Sequence, residues 1–123
     1  MSQSLKFDFC NLTVFDNYII VNIKEGINVT PDRNNTLIDI TETYFLNKPF
    51  VYISNRINSY SVDPKVYLKT SKIKNLEGLA IVSSNYQAKV NAEIEKMFFK
   101  KPFEIFSELE EAIVWAHKIT KTE

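Results

Sequence analysis

Four apolar residues in a row, Phe50, Val51, Tyr52 and Ile53, leave no polar face, and their β-branched and aromatic side chains suit a strand. A strand buried on both sides needs covering layers above and below its sheet. After it the character flips, because Ser54, Asn55, Arg56, Asn58, Ser59, Tyr60 and Ser61 place donors, acceptors and one guanidinium in a stretch without Gly. Asp63 and Pro64 close that stretch with helix-start chemistry: a carboxylate to accept from free N–H groups and a ring suited to the first turn.

The rest of the chain supplies the layers. Leu5, Phe7 and Phe9 alternate with polar residues, and Leu12 and Val14 resume the alternation, which predicts one half-buried strand with a break or bulge. Asp16 and Asn17 turn it into a second strand over 18–23, an antiparallel hairpin. Thr30, Pro31 and Asp32 start a helix whose Leu37, Ile40, Thr41, Tyr44 and Phe45 recur at helical spacing. A short helix follows Pro64. Leu79, Ala80, Ile81 and Val82 form another wholly apolar strand, and Ser83, Ser84 and Asn85 lead into a helix with Tyr86, Val90, Ile94, Met97 and Phe98 as its apolar stripe. Phe103–Phe106 is a last strand. Ser107 and Glu110 have capping-box spacing before a final helix carrying Leu109, Ala112, Ile113, Trp115, Ala116 and Ile119. Strands alternating with helices after an opening hairpin predict a single α/β domain over residues 1–123, with about five strands, four helices and parallel later strands.

At 123 residues with 45% hydrophobic content, one core is expected. Fifteen cationic and fifteen acidic residues cancel, which removes the footprint expected of a nucleic-acid binder. The first residues lack the pattern of a signal peptide, and no apolar run approaches the ~20 residues of a membrane span. A cytoplasmic protein that is not integral to a membrane is the expectation. Cys10 is the only cysteine, so no intrachain disulfide forms.

Four stretches, VFDNYIIVNIKEG, FVYISNRINSYSVDP, LEGLAIVSSN and FFKKPFEIFSELEEAIVWA, together resemble the small bacterial STAS/SEC14-like, or SpoIIAA-like, domains. The resemblance spans nearly the whole chain. It implies a regulatory module that binds partner proteins, nucleotides or lipid-like ligands. In the anti-sigma-factor antagonists of this fold, a phosphorylatable Ser in a short Asp-Ser motif opens the helix after the central strand. The turn here is longer, from Asn55 to Asp63, and neither Ser59 nor Ser61 matches that motif.

The candidate chemistry is narrow. One His and one Cys supply no ligand set for a structural zinc site, no Ser sits in a nucleophile elbow, and no cofactor is expected. His117 suits the C-terminal turns of the last helix, whose dipole favours a cation, and Cys10 reads as a buried, inert thiol. A hydrolase would require Cys10 or His117 beside a nucleophile or acid. Arg56, one of two arginines, lies beyond the carboxyl end of a parallel strand, where open α/β sheets hold ligands. Its alternative role is structural pairing, with Asp63 or another loop acceptor. The expected ligand site is Asn55, Arg56, Tyr60, Ser61, Ser83, Ser84 and Asn85. A nonenzymatic regulatory or small-ligand-binding module is one functional reading. The other is partner switching or homodimer formation through aromatics in excess of one small core, at Tyr44, Phe45, Tyr60, Tyr67, Phe98, Phe99 and Trp115.

Overall fold

A computed structural model describes residues 2–121. The elements are β1 Gln3–Lys6, β2 Cys10–Val14, β3 Tyr18–Ile23, β4 Asn28–Val29, α1 Pro31–Tyr44, β5 Phe50–Asn55, β6 Ser61–Val62, α2 Val66–Thr70, β7 Leu76–Val82, α3 Tyr86–Lys96, β8 Phe103–Phe106 and α4 Leu109–Thr120. A six-stranded sheet has the order β1-β2-β3-β5-β7-β8. Its first three strands are antiparallel neighbours, and β3, β5, β7 and β8 pair in parallel. The α/β architecture expected from the alternation of strands and helices is the one observed.

The face of α3 differs from the sequence reading, since Tyr86, Ile94 and Met97 of its expected stripe are exposed and only Val90 and Phe98 half-buried, and so do three details of strands and caps. The opening strand with a bulge is two strands, β1 and β2, joined by a tight turn in which Phe7 N–H donates to the Cys10 carbonyl at 2.8 Å. The change of phase between Phe9 and Leu12, which reads as a break or bulge in one strand, follows directly on this turn, and the pattern alone does not separate a bulge from a tight hairpin. The second addition is a two-stranded parallel sheet, β4 with β6, whose strands of two residues each are too short to leave a period. Finally, the α4 cap is displaced by one residue: Glu108 is the N-cap, and its N–H donates to the Glu111 carboxylate at 3.1 Å.

The two faces of the sheet are packed differently. Val51 and Ile53 of β5 and Ala80 and Val82 of β7 point to α4, where the small Ala112 and Ala116 let the helix approach closely and Tyr18, Trp115 and Ile119 pack around the contact. Gly78 continues that row, and a Cβ there would come within 2.8 Å of Ile119 Cδ1 and Trp115 Cη2. Alternate residues, including Ile19, Val21, Leu79 and Ile81, face the larger core beneath α1, α2 and α3. Phe45 stacks on Phe50 with ring centroids 4.4 Å apart and closes that core at the start of β5. Among the described residues, no helix is long and apolar enough to cross a membrane.

The aromatic surplus is largely absorbed by these two cores. Phe45, Tyr67 and Phe99 are buried, Tyr60, Phe98 and Trp115 are half-buried, and of the seven aromatics named from sequence only Tyr44 is exposed. A sheet covered on both faces needs two sets of large side chains.

Candidate functional site

The carboxyl ends of β5, β7 and β8 lie side by side and lead into polar residues. β5 finishes at Asn55, β7 at Val82 and β8 at Phe106, each followed by polar residues. An open cleft of about 450 Å³ lies over these ends, with Asn55, Arg56, Ser83, Ser84, Asn85 and Ser107 on its walls. A neighbouring cleft of about 400 Å³ shares Arg56 and Asn85 and adds Tyr60 and Glu25. Six of the seven residues expected at a ligand site are thus brought around one region. Ser61 is elsewhere: it lies on β6, and its hydroxyl donates to Asn28 Oδ1 at 3.0 Å.

Local hydrogen bonds shape the cleft. Ser83 Oγ accepts from the Asn85 N–H at 3.0 Å, and Asn85 Oδ1 accepts from the Ala88 N–H at 3.0 Å, the N-cap of α3. Asn85 is therefore a cap as well as a wall of the cleft. Among the described residues Ser84 makes no side-chain bond of this kind, and it is exposed. Lys89 Nζ donates to Ser107 Oγ at 2.5 Å and links α3 to the start of α4.

Arg56 departs most from the sequence reading. Its side chain is only 7% exposed and forms a fork with Glu95 of α3, itself 8% exposed. Nη1 donates to Glu95 Oε2 at 2.9 Å, and Nη2 donates to Glu95 Oε1. Nη2 also donates to the Tyr67 hydroxyl at 3.2 Å, which in turn donates to Glu95 Oε1 at 2.5 Å. The guanidinium lies 5.3 Å from the centre of the Tyr60 ring, and the Tyr60 hydroxyl is 2.7 Å from Ser54 Oγ. Asp63 is not its partner. Asp63 Oδ1 accepts from the Lys65 N–H at 3.1 Å in the turn ahead of α2, whose N-cap is Lys65 without a side-chain cap, so the helix-start role expected of Asp63 falls in the preceding turn.

The electrostatics follow from burial. Desolvation pulls the Arg56 pKa down, but the hydrogen bonds and charge of Glu95 outweigh it and hold the guanidinium more firmly protonated than usual. Burial pushes the Tyr67 phenol well above its ordinary range, and the Glu95 charge adds to the effect. Burial also raises Tyr60, against the opposing pull of Arg56. Both phenols stay protonated at neutral pH, and that of Tyr67 donates to Glu95. The cluster forms a buried ionic floor, and the cleft walls above it add hydroxyls and amides together with the carboxylates of Glu108 and Glu25.

Glu95 was not singled out from the sequence, although a signal for it exists. Ala88, Ala92, Glu95 and Phe99 recur at helical spacing beside the more apolar stripe, and Ala92 and Glu95 are the buried residues of α3. A buried arginine requires a carboxylate.

Cys10 and His117 stand apart from both clefts. Burial pushes the Cys10 thiol up to about 11, well away from a reactive thiolate. His117 Nδ1 lies 3.0 Å from the Asn17 amide nitrogen, which also donates to the Thr120 hydroxyl at 3.1 Å, so the end of α4 is tied to the start of β3.

No family model and no curated protein matches the chain. In structure, it is similar to an uncharacterised protein of the DUF3478 family with a SpoIIAA-like fold from Shewanella loihica PV-4, with a TM-score of 0.58 and 13% identity over 94% of this chain and 92% of that one. The hairpin, the run of parallel strands and the helices on both faces, matched over nearly the full length of both chains, give this protein a SpoIIAA-like fold.

Proposed function

We propose that the protein is a nonenzymatic regulatory module that takes a small polar ligand at the C-terminal ends of β5, β7 and β8. The observation that carries this reading is the convergence of Asn55, Ser83, Ser84, Asn85 and Ser107 in one cleft over the charged floor made by Arg56. Polar groups on rigid strand ends suit orientation of a ligand by hydrogen bonds. Arg56 acts through its ion pair as a positioning residue, so its removal is a poor test of binding. Ser84 is exposed and serves better. In a thermal-shift screen of nucleotides, small anions and lipid-like amphiphiles, a compound that raises the melting temperature of the wild type should leave Ser84→Trp unmoved, with both free proteins melting alike. Equal shifts in both, or no shift with any compound, would count against this site.

A second reading, self-association, is favoured by α3. Tyr86 is 80% and Met97 78% exposed, and Ile94 and Ile57 are exposed nearby. An apolar stripe on the outside of a helix suits an interface. Sedimentation over a wide concentration range tests it, since a strict monomer removes this reading and leaves the ligand cleft standing.

A further inference from the structure

At the other end of the parallel strands lies a site of different chemistry. The segment before β5 and the segment before β7 meet there and, with α1 and α2, enclose a groove of about 390 Å³. Its floor is apolar, made by Ile38, Phe45 and Ile73, and the exposed Leu46 stands at its rim. The groove walls are held in place by Asn75, whose side-chain amide donates to the carbonyls of Phe45 and Lys48. Six residues of β5 separate this groove from the polar cleft, roughly 20 Å along the strand.

The charge around it is one-sided. Between Asp63 and Glu77 the chain carries Lys65, Lys69, Lys72 and Lys74 and no acidic residue. Lys69, Lys72 and Lys74 line the groove, against the single carboxylate of Glu42. Lys69 donates to Asn35 Oδ1 at 2.6 Å, whereas Lys72 and Lys74 are exposed, and among the described residues the one ion pair is that of Arg56 with Glu95. In a chain of zero net charge, this is a local cationic patch around an apolar hollow.

We propose that this groove docks an acidic peptide segment of a partner protein, seating one large apolar side chain against Ile73 and Leu46 while flanking carboxylates meet Lys72 and Lys74. The concave floor favours a single inserted side chain, and the paired exposed ammonium groups favour carboxylates beside it. A nucleic acid would have no use for an apolar hollow, and a flat membrane surface would leave the half-buried Ile73 unreached. The site is independent of the strand-end cleft, so the failure of either leaves the other intact.

Fluorescence anisotropy with a labelled peptide, one phenylalanine between pairs of glutamates, tests the proposal on the whole chain. Saturable binding is expected, weakened about tenfold by the double variant Lys72→Glu/Lys74→Glu, since two exposed charge contacts become repulsions. Added salt should weaken it as well. Leu46→Ser provides a neutral check at an exposed position, with an expected loss of severalfold and an unchanged melting temperature. The proposal falls if the wild type fails to bind the peptide, if charge reversal leaves affinity unchanged, or if a peptide with glycine in place of phenylalanine binds equally well. Sedimentation of the protein alone and competition by anionic vesicles complete the experiment: self-association abolished by Lys72→Glu/Lys74→Glu would assign the groove to a second copy, and displacement of the peptide by vesicles would assign it to a lipid surface, either of which overturns a peptide partner.

Discussion

Helices α3 and α4 begin alike, each directly after the carboxyl end of a parallel strand, yet they turn opposite kinds of face to the sheet. α4 buries Ala112 and Ala116 and packs Ile113, Trp115 and Ile119 around them, as its apolar stripe requires. α3 buries Ala92 and Glu95 and leaves Tyr86, Ile94 and Met97 outside. Hydrophobic periodicity locates a helix, but a single buried ionic partner can decide which face turns inward. Glu95 inside requires Arg56 opposite it, and seating that pair rotates the apolar stripe toward solvent.

The largest effect should come from breaking the pair. Arg56→Ala or Glu95→Ala strands a charge in the interior, at an expected cost of about 3–5 kcal/mol by chemical denaturation. The double variant Arg56→Met/Glu95→Leu should recover most of that loss, because no unpaired charge remains. Single variants as stable as the wild type would show that something other than the ion pair orients α3.

The α4 side sharpens the contrast through shape rather than charge. Gly78→Ala places a methyl group against Ile119, Trp115 and the Pro102 carbonyl, the last 3.1 Å away. Pushing α4 off the sheet should cost about 1–3 kcal/mol. A neutral result in thermal melts would mean that the side-chain ends of α4 move aside freely, and that its packing is looser than its row of alanines implies.

The smallest effect should be on the outer stripe of α3. Met97→Ser removes a large apolar side chain from a helix end, yet it should change monomer stability by less than about 0.5 kcal/mol, because the side chain is already in water. A loss above 1 kcal/mol, dependent on protein concentration, would show that the stripe is covered in solution.

Much of the architecture was legible because it rests on apolar runs and turn chemistry. Phe50–Ile53 and Leu79–Val82 read directly as central strands, and Asn85 and Thr30 as helix starts, since caps are local events. The candidate cleft was legible for the same reason: parallel neighbours bring successive strand ends together, so Asn55 and Ser83–Asn85 meet. What escaped was tertiary. The partner of Arg56 lies 39 residues away on an element whose composition points the other way. β4 and β6 exist only because the loops carrying them run side by side, and the split between β1 and β2 turns on one tight turn whose shift of the alternation looks the same as a bulge.

The sheet order also has a kinetic side. β1, β2 and β3 are consecutive neighbours and can zip through short closures, whereas β3 meets β5 only after β4 and α1 have been passed, and β5 meets β7 across α2. The Arg56–Glu95 fork depends on the later of these crossovers and on α3 docking after them. We expect it to be absent from the rate-limiting barrier to folding, so that the fork slows escape from the native state far more than it speeds arrival.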